Sequence, residues 1–267
     1  SLIKRDWLRE HVYLIQYPRC RTIPNLSPWS LKLETWIRMT QIPFTNINND
    51  FTKFSAKGQV PFVEVNGRQI GDSNFIIESL KDEFGKTHME PSDPIQQSLS
   101  RAYSALVEEH MTWAIFAIRG KTGYPFLLSD DGYGRYHGTG LRRWFMQTVC
   151  KIGIWRLTTF RANMQGMGRH SIEELYDIVK EDLKAISAFL GEKEYFGGEC
   201  PTTLDATMFG HLAGLIYMSP PNGILKICCT DTCPNLGQFV ERVKEKYWPD
   251  WEETCATMDM NVHLKKE

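Results

Sequence analysis

Hydrophobic and polar positions in the first part of the chain predict a small unit of strands and helices. Short apolar runs indicate strands, and apolar residues at helical spacing indicate amphipathic helices. The pair Asn66-Gly67 between two such runs predicts a tight hairpin turn. The predicted elements are strands at 12–17 and 42–48, a helix at 28–41, a short helical turn at 51–56, hairpin strands at 62–65 and 68–70, and a helix at 73–85. This order, β-α-β-α-β-β-α, predicts an open sheet with helices over residues 12–86.

The remainder of the chain shows only the helical period. Helices are predicted at 94–118, 141–166, 171–190, 202–218 and 235–248. Ser171 and Glu174 form a capping box at the start of the third of these helices, and Gly191 ends it. Two prolines in the segment 85–94 mark a boundary between the two regions. We therefore expect an N-terminal extension at 1–11, a strand-and-helix domain at 12–86, an all-α domain at 95–250 and a tail at 251–267.

Composition and charge restrict the function classes. The 267 residues are 42% hydrophobic and carry a net charge of −1, so no positive field indicates a nucleic-acid partner. No apolar run is long enough to span a bilayer and no signal peptide is recognisable, so we expect a cytoplasmic protein. The seven cysteines are irregularly spaced, and Cys228-Cys229-x-x-x-Cys233 lacks a second Cys/His pair. Free thiols and no metal site are therefore expected.

The segment Gln59-Val60-Pro61-Phe62 begins the third predicted strand with a proline. In this motif, and in its sheet unit followed by an all-α domain, the chain resembles the glutathione transferases, whose N-terminal domain is thioredoxin-like. The resemblance implies a cis bond before Pro61, which a folded chain holds at small cost. It further implies that the Val60 main chain pairs with glutathione as an added strand would, and that Gln59 contacts the same tripeptide.

The pair Asp72-Ser73 opens the helix predicted at 73–85. In transferases of this kind, an acidic or amide residue followed by Ser holds the γ-glutamyl end of glutathione. The helix-start N–H groups and the Ser73 hydroxyl would receive the carboxylate, and Asp72 would take the ammonium group. The other interpretation is that one of the two residues is only the helix N-cap, and the two roles are compatible.

Longer motifs indicate a narrower group. The segments PNLSPWSLKLETWIRM, VEEHMTWA, TLDATMFGHLA and KYWPDW resemble the failed axon connections family, a metaxin-related branch of the glutathione transferase superfamily that includes nematode cadmium-responsive relatives. The resemblance extends over roughly residues 10–250. Thr202 and Asp205 match the buried capping box of the family's C-terminal domain, which assigns them to folding.

Transferases of this fold stabilise the glutathione thiolate with a hydroxyl or thiol near the first helix. Ser27 is the first candidate, because it precedes Pro28 at a positive helix N-terminus and can donate to a thiolate; alternatively it is a plain N-cap. Tyr17 is the second candidate, and Cys20 could form a mixed disulfide with glutathione. Ser27 and Ser30 occupy the positions of a thioredoxin C-x-x-C pair, which excludes dithiol chemistry there. Many family members carry a cysteine where this chain has Ser30.

Glu109, His110 and Trp113 lie in the helix predicted at 94–118. In the superfamily this helix lines the cleft between the domains, so the resemblance implies that a small hydrophobic second substrate binds there. For His110 and Trp113 the alternative is packing in the core or between helices. The function expected from these residues is conjugation of glutathione to hydrophobic electrophiles, with Ser27 at the thiolate.

A second function class is a non-catalytic binding or scaffold protein, as among metaxin-like relatives. The segment 141–161 carries five cations, no acid and many aromatic and aliphatic residues, so it could lie on an anionic membrane surface. We expect instead that its apolar face belongs to the core and its arginines face water. A homodimer is also expected, because transferases of this fold usually pair.

Overall fold

A computed structural model gives the fold for residues 2–218 and 223–265. The side chains of Ile154 and Leu157 are also outside the described part. Four segments that the sequence singles out therefore include positions that are not described: 1–11, 95–250, 141–161 and 251–267.

A four-stranded mixed sheet forms the N-terminal part. Its strands are β1 (Val12–Gln16), β2 (Phe44–Asn48), β3 (Phe62–Val65) and β4 (Arg68–Gly71), in the spatial order β2-β1-β3-β4. β1 runs parallel to β2 and antiparallel to β3, and all five of its residues are buried. The predicted hairpin is present at Asn66-Gly67, where both residues adopt positive φ as a tight two-residue turn requires.

The helices follow the predicted order with some changes in their bounds. They are α1 (Pro28–Thr40), α2 (Ser73–Glu83), α3 (Pro94–Ala105), α4 (Thr112–Thr122), α5 (Pro125–Leu128), α6 (Gly140–Gln165), α7 (Ile172–Leu190), α8 (Thr203–Tyr217), α9 (Ile224–Ile227), α10 (Pro234–Tyr247) and α11 (Trp251–Thr257). The predicted capping box at the start of α7 is present: Glu174 N–H donates to Ser171 Oγ, and Ser171 N–H donates to the Glu174 carboxylate.

The short helical turn predicted at 51–56 is wrong, because this segment contains turns but no helix. The Asn49 side chain accepts from Lys53 N–H at 3.0 Å and donates to Lys53 C=O at 2.6 Å. Asp50 and Phe51 both adopt positive φ. Local side-chain bonds of this kind compete with helix formation, so the observed order is β1-α1-β2-β3-β4-α2.

The long helix predicted at 94–118 is interrupted by a π-helical segment at Leu106–Met111. The Thr112 hydroxyl donates to Val107 C=O at 2.7 Å, which satisfies one main-chain acceptor at the irregular turn. Glu108, within this segment, is buried. A local change of helical pitch is frequent at functional sites and alters which side chains face inward.

Helix α1 is enclosed between the sheet and α8. Gly210 of α8 permits this close approach, because a Cβ built there would lie 2.6 Å from Pro28 C=O and 2.7 Å from Lys32 N. A substitution at Gly210 would therefore force the two helices apart. Most of α1 is buried, including Lys32 and Glu34.

Both ends of the described chain contact the sheet. Near the N-terminus, the Ile3 and Lys4 N–H groups donate to the Glu64 carboxylate at 2.8–3.0 Å. Near the C-terminus, Asn261 bonds the N–H and C=O of Asn46 at 2.7 and 3.0 Å. The segment predicted as a tail thus contains α11 and a stretch that pairs with β2.

Helix α6 is exposed on its apolar side, so the expectation that this side belongs to the core is wrong. Eight large apolar residues of α6 are 48–81% exposed. They are Leu141, Trp144, Phe145, Val149, Ile152, Trp155, Phe160 and Met164. Periodicity identified the amphipathic helix but could not show whether another element covers it.

Candidate functional site

A cavity of about 590 Å³ lies between the sheet unit and the helices. Most of the residues proposed from the sequence line it. From the sheet unit these are Tyr17, Ser27, Gln59, Val60, Pro61, Asp72 and Ser73. Glu109 and Trp113 line it from the helical side. A volume of this size suits a small-molecule ligand.

The start of β3 forms one wall of the cavity. The Val60–Pro61 peptide bond is cis. Gln59 is held by two contacts with Ser55: its C=O accepts from Ser55 N–H at 3.0 Å, and its N–H donates to Ser55 Oγ at 3.1 Å. Within the described residues, the Val60 N–H and C=O groups take part in no hydrogen bond. They form a main-chain edge that an extended peptide could pair with.

Helix α2 begins at the same cavity. Asp72 is its N-cap with φ of 78°, and Asp72 Oδ1 accepts from Asn74 N–H at 3.0 Å. Ser73 is the first helical residue, and it is 5% exposed. Asp72 therefore performs the capping role, while the N–H of Ser73 belongs to the positive end of the helix, where an anion is favoured.

Ser27 caps α1 and lines the cavity. Its Oγ accepts from Ser30 N–H at 3.3 Å, and its own N–H donates to Asn25 Oδ1 at 2.9 Å. Because the cap uses the oxygen as an acceptor, the hydroxyl hydrogen can still donate to a group in the cavity. The N-cap and the thiolate-donor interpretations are therefore compatible. The Ser30 hydroxyl is buried and has no hydrogen-bond partner among the described residues.

The two alternatives to Ser27 have less suitable surroundings. The Tyr17 ring stacks on Phe51 with centroids 5.4 Å apart, and burial raises the pKa of the Tyr17 hydroxyl. Cys20 is fully buried, and burial raises the pKa of its thiol well above the usual range. A buried, protonated thiol is neither accessible nor reactive, so Cys20 does not support the mixed-disulfide hypothesis.

A buried polar cluster, which the sequence did not reveal, joins the two halves of the cavity. The Lys32 ammonium group donates to Asn74 Oδ1 at 2.6 Å and to Glu108 Oε1 at 2.9 Å, and Asn74 Nδ2 donates to Glu108 Oε2 at 3.0 Å. Burial raises the pKa of Glu108, but the positive charge of Lys32 and the imidazole of His211 more than offset this and lower the pKa. The sequence signal for this cluster was Lys32, which lies among the apolar positions of α1. Periodicity alone assigns such a lysine to solvent.

The helical wall contains Trp113 and Phe116, whose rings meet edge to face at 5.9 Å. Phe116 also meets Trp29 of α1 at 5.8 Å. His110 is not among the residues that line the cavity, contrary to the expectation. Its Nδ1 contacts Asp182 Oδ2 at 2.8 Å, so it joins its helical segment to α7.

Two arginines on the helical wall were not anticipated. Arg119 of α4 and Arg161 of α6 both line the cavity. Arg119 Nη2 donates to Gly214 C=O at 3.4 Å, and burial lowers the pKa of Arg119. The cavity therefore carries the hydroxyl groups of Ser27 and Ser73 from the sheet unit and two guanidinium groups from the helices.

The Thr202 and Asp205 pair lies outside the cavity and stabilises the start of α8. The Asp205 carboxylate is fully buried. It accepts from Phe196 N–H at 2.6 Å and from the N–H and the hydroxyl of Thr202, both at 2.8 Å. Burial raises the pKa of Asp205, and these bonds lower it in part. The contacts agree with a role in folding.

Comparison with known proteins identifies the class of protein that has this fold. Residues 28–120 match the glutathione S-transferase N-terminal domain, and residues 179–243 match the glutathione S-transferase C-terminal domain. The β-etherase LigF of Sphingobium sp. strain SYK-6 has a similar structure, with a TM-score of 0.62 at 16% identity over 96% of this chain and 99% of that one. The chain therefore has the glutathione transferase fold, with a thioredoxin-like N-terminal domain and an all-α C-terminal domain, and belongs to that superfamily.

Closer relatives define the branch. Failed axon connections of Drosophila melanogaster is 36% identical over 98% of this chain, which spans 64% of that relative's length. A metaxin-1 homolog of Caenorhabditis briggsae is 37% identical over 90% of this chain and 75% of the relative. Isoprene-epoxide–glutathione S-transferase of Rhodococcus sp. (strain AD45) is 29% identical over 84% of this chain and 94% of the relative. The chain belongs to the failed axon connections family, a metaxin-related branch of the glutathione transferase superfamily.

Two features are absent from the described residues. No described helix is both long and apolar enough to cross a bilayer. Among the same residues, no group of three or more His, Cys, Asp or Glu side chains is arranged to hold a metal ion.

Proposed function

We propose that this protein binds glutathione in the cavity and conjugates it to hydrophobic electrophiles. The observation that carries the proposal is the convergence on one cavity of Ser27, the cis Val60–Pro61 edge and the Asp72-Ser73 helix start. In the proposed complex, the Val60 main chain pairs with the cysteinyl part of glutathione, and the start of α2 receives the γ-glutamyl carboxylate.

The proposed role of Ser27 is to donate a hydrogen bond to the glutathione sulfur. The positive end of α1 favours the thiolate over the thiol, and the hydroxyl stabilises the same charge. The thiolate then attacks an electrophilic carbon. With an epoxide, a C–S bond forms, the C–O bond breaks, and the oxygen takes a proton from solvent. With a chlorinated aromatic compound, chloride leaves instead.

Relatives support this chemistry. The Rhodococcus relative is named as a transferase that joins glutathione to isoprene epoxide, and a structural neighbour from Methylobacillus flagellatus holds bound glutathione. The structural likeness to the second protein, with a TM-score of 0.56 at 15% identity, concerns the fold. An epoxide is therefore the first test substrate. A chlorinated aromatic compound is the second, as an electrophile of a different type.

The test compares Ser27→Ala with Ser27→Thr, which keeps both the hydroxyl and the N-cap. Loss of one donor to a developing or stabilised anion reduces turnover by about tenfold or more, so Ser27→Ala should lose at least that much kcat/KM. It should also shift the pH profile toward alkaline pH, because the bound thiol then ionises less readily. Ser27→Thr should retain most activity. Unchanged turnover and an unchanged pH profile in Ser27→Ala would exclude Ser27 from this role.

A second candidate function is peripheral contact with a membrane through α6. The eight exposed apolar side chains of this helix are half of the large exposed apolar residues in the described part of the chain. The same helix carries Arg142, Arg143, Lys151, Arg156 and Arg161 and no acidic residue. A basic helix with exposed aromatic residues is suited to the interface of an anionic bilayer.

The charge of α6 favours a bilayer over a second copy of the chain. Two copies that met through this helix would bring cations against cations, although Arg143 is offset by an ion pair with Asp130 at 2.7 Å and Arg161 lines the cavity. A surface with anionic lipids instead contributes about 1 kcal/mol of attraction for each nearby cation. We therefore propose that the homodimer of this fold uses another face of the protein. Sedimentation analysis in solution, without vesicles, checks this, because α6 variants should dimerise as the wild type does.

Vesicle co-sedimentation tests the membrane contact. Binding to vesicles of phosphatidylcholine with phosphatidylserine should exceed binding to phosphatidylcholine alone and should fall as salt rises. Trp144→Ser should weaken it, whereas Ile95→Ser, which removes a comparably exposed apolar residue from α3, should not. Equal binding to neutral and anionic vesicles, or equal loss in both variants, would contradict the proposal.

A further inference from the structure

The helical end of the cavity holds two guanidinium groups without acidic partners. Arg119 and Arg161 come from α4 and α6 and line the cavity, and neither forms an ion pair within the described residues. The guanidinium group of Arg119 donates one long hydrogen bond, to Gly214 C=O at 3.4 Å. Burial disfavours the charged form of this guanidinium, and no carboxylate offsets that effect.

Apolar residues and the Tyr124 hydroxyl share the cavity with these cations. Trp113, Phe116 and Met218 line the same cavity. Arg119 is partly removed from water and lacks a counterion, which is unfavourable, and an anion that enters the site relieves that cost. Arg161 is exposed and adds a second guanidinium group to the same cavity. Guanidinium groups recognise carboxylates and phosphates in particular, because their paired N–H donors match two oxygens.

Acidic residues elsewhere in the cavity do not supply this counterion. Glu108 is neutralised by Lys32 at 2.9 Å, and the Asp72 carboxylate caps α2 by accepting from Asn74 N–H. Glu109 is exposed, and its C=O rather than its carboxylate accepts from Gln165 Nε2 at 3.2 Å. A ligand with its own acid group is therefore the complement to this wall.

We propose that Arg119 and Arg161 bind the acidic group of an amphiphilic ligand whose apolar body lies against Trp113, Phe116 and Met218. The ligand class is a carboxylate or phosphate monoester on an apolar chain or ring. The claim that this ligand is the second substrate rests on the proposed function. The claim that the two arginines bind such a ligand does not depend on glutathione.

The test is calorimetric titration of octanoate, octyl phosphate and octanol, which share one chain length and differ in the head group. The full chain should bind both anions at least tenfold more tightly than octanol. The stronger of the two anions identifies whether a carboxylate or a phosphate is preferred. Equal affinity for all three probes would overturn the proposal.

Variants assign the preference to the two arginines. Arg161→Gln and Arg119→Gln should each lose about tenfold in octanoate affinity, whereas octanol affinity should change little. Arg101→Gln removes an exposed helical arginine that does not line the cavity and should retain the preference for octanoate. Arg161 is exposed, so Arg161→Gln remains informative if Arg119→Gln fails to fold. A preference that survives in Arg161→Gln and in a folded Arg119→Gln would refute the assignment.

Glutathione titrated into the same variants separates this inference from the proposed function. If Arg161→Gln loses glutathione affinity as strongly as octanoate affinity, the guanidinium serves glutathione and the inference is wrong. If the unaltered chain binds octanoate with the expected preference but does not bind glutathione, the anion site stands and the proposed transferase function fails.

Discussion

Replacement of Lys32 by Met should show how strongly the buried cluster joins the two halves of the protein. Lys32 is fully buried, and its ammonium group contacts Asn74 at 2.6 Å and Glu108 at 2.9 Å. The variant leaves the 6%-exposed Glu108 carboxylate without its counterion. Removing one partner of a buried pair costs about 3–5 kcal/mol, so urea unfolding at pH 7 should show a loss of this size.

A double variant and a pH series test the cause of that loss. Lys32→Met with Glu108→Gln removes both charges, so it should be more stable than Lys32→Met alone. In the wild type, the pKa of Glu108 is below its usual value of 4.5. The pair therefore contributes its full stability above pH 4.5, and this contribution is lost as the pH falls toward the lowered pKa of the folded state. In Lys32→Met the pKa of the unpaired Glu108 should rise, and the variant should gain stability relative to the wild type as the pH falls. A loss below about 1 kcal/mol, or a gap independent of pH, would refute the reasoning.

Two other buried carboxylates give further predictions. Asp205→Ala leaves the Phe196 and Thr202 donors buried and unpaired, so it should cost about 3 kcal/mol in urea unfolding, and Asp205→Asn should cost less. An unchanged midpoint in Asp205→Ala would exclude the capping role. Although burial raises it, Arg19 and Arg38 lower the pKa of Glu34 from 4.5 to about 2, so acidification from pH 5 to pH 2 should remove about 3 kcal/mol of stability. Glu34→Gln should lack this part of the pH dependence, and an identical pH slope in the variant would contradict the assignment.

Local signals predicted much of the fold. The starts of α1 and α7 were predictable because a Ser before the first turn caps a helix through its own side chain, without a distant partner. The hairpin at Asn66-Gly67 was predictable for the same reason, since two residues with positive φ determine its turn. The prediction of a helical turn at 51–56 was wrong because the Asn49 side chain forms hydrogen bonds with the main chain of Lys53, and these bonds compete with helix formation.

Long-range contacts could not be predicted from the same patterns. Lys32 and Glu34 are polar positions of an amphipathic pattern, which normally face water, but α1 is enclosed between the sheet and α8. Lys32 pairs with a residue 76 positions later, and no local rule indicates that distance. Helix α6 shows the opposite error, because its apolar face looks like a core face and no described element covers it.

The candidate site was predicted in part. Ser27, Pro61 and Ser73 belong to three separate elements, and only the resemblance to a known fold brought them together in advance. Arg119 and Arg161 have no motif of their own, and their relation depends on how α4 and α6 pack. A sequence pattern indicates which residues carry chemistry, whereas the packing of helices decides which of them share a cavity.

The most direct test of the central claim is a calorimetric titration of glutathione into the wild type, Ser73→Ala and the control Ser98→Ala. Ser98 is exposed on α3, outside the cavity, and its hydroxyl donates to Pro94 C=O at 2.9 Å. A hydrogen bond to a charged group contributes about 1.5–3 kcal/mol, so Ser73→Ala should weaken binding about tenfold or more. The account predicts saturable binding in the wild type, the same affinity in Ser98→Ala and this loss in Ser73→Ala. No binding by the wild type, or equal affinity in Ser73→Ala, would contradict it.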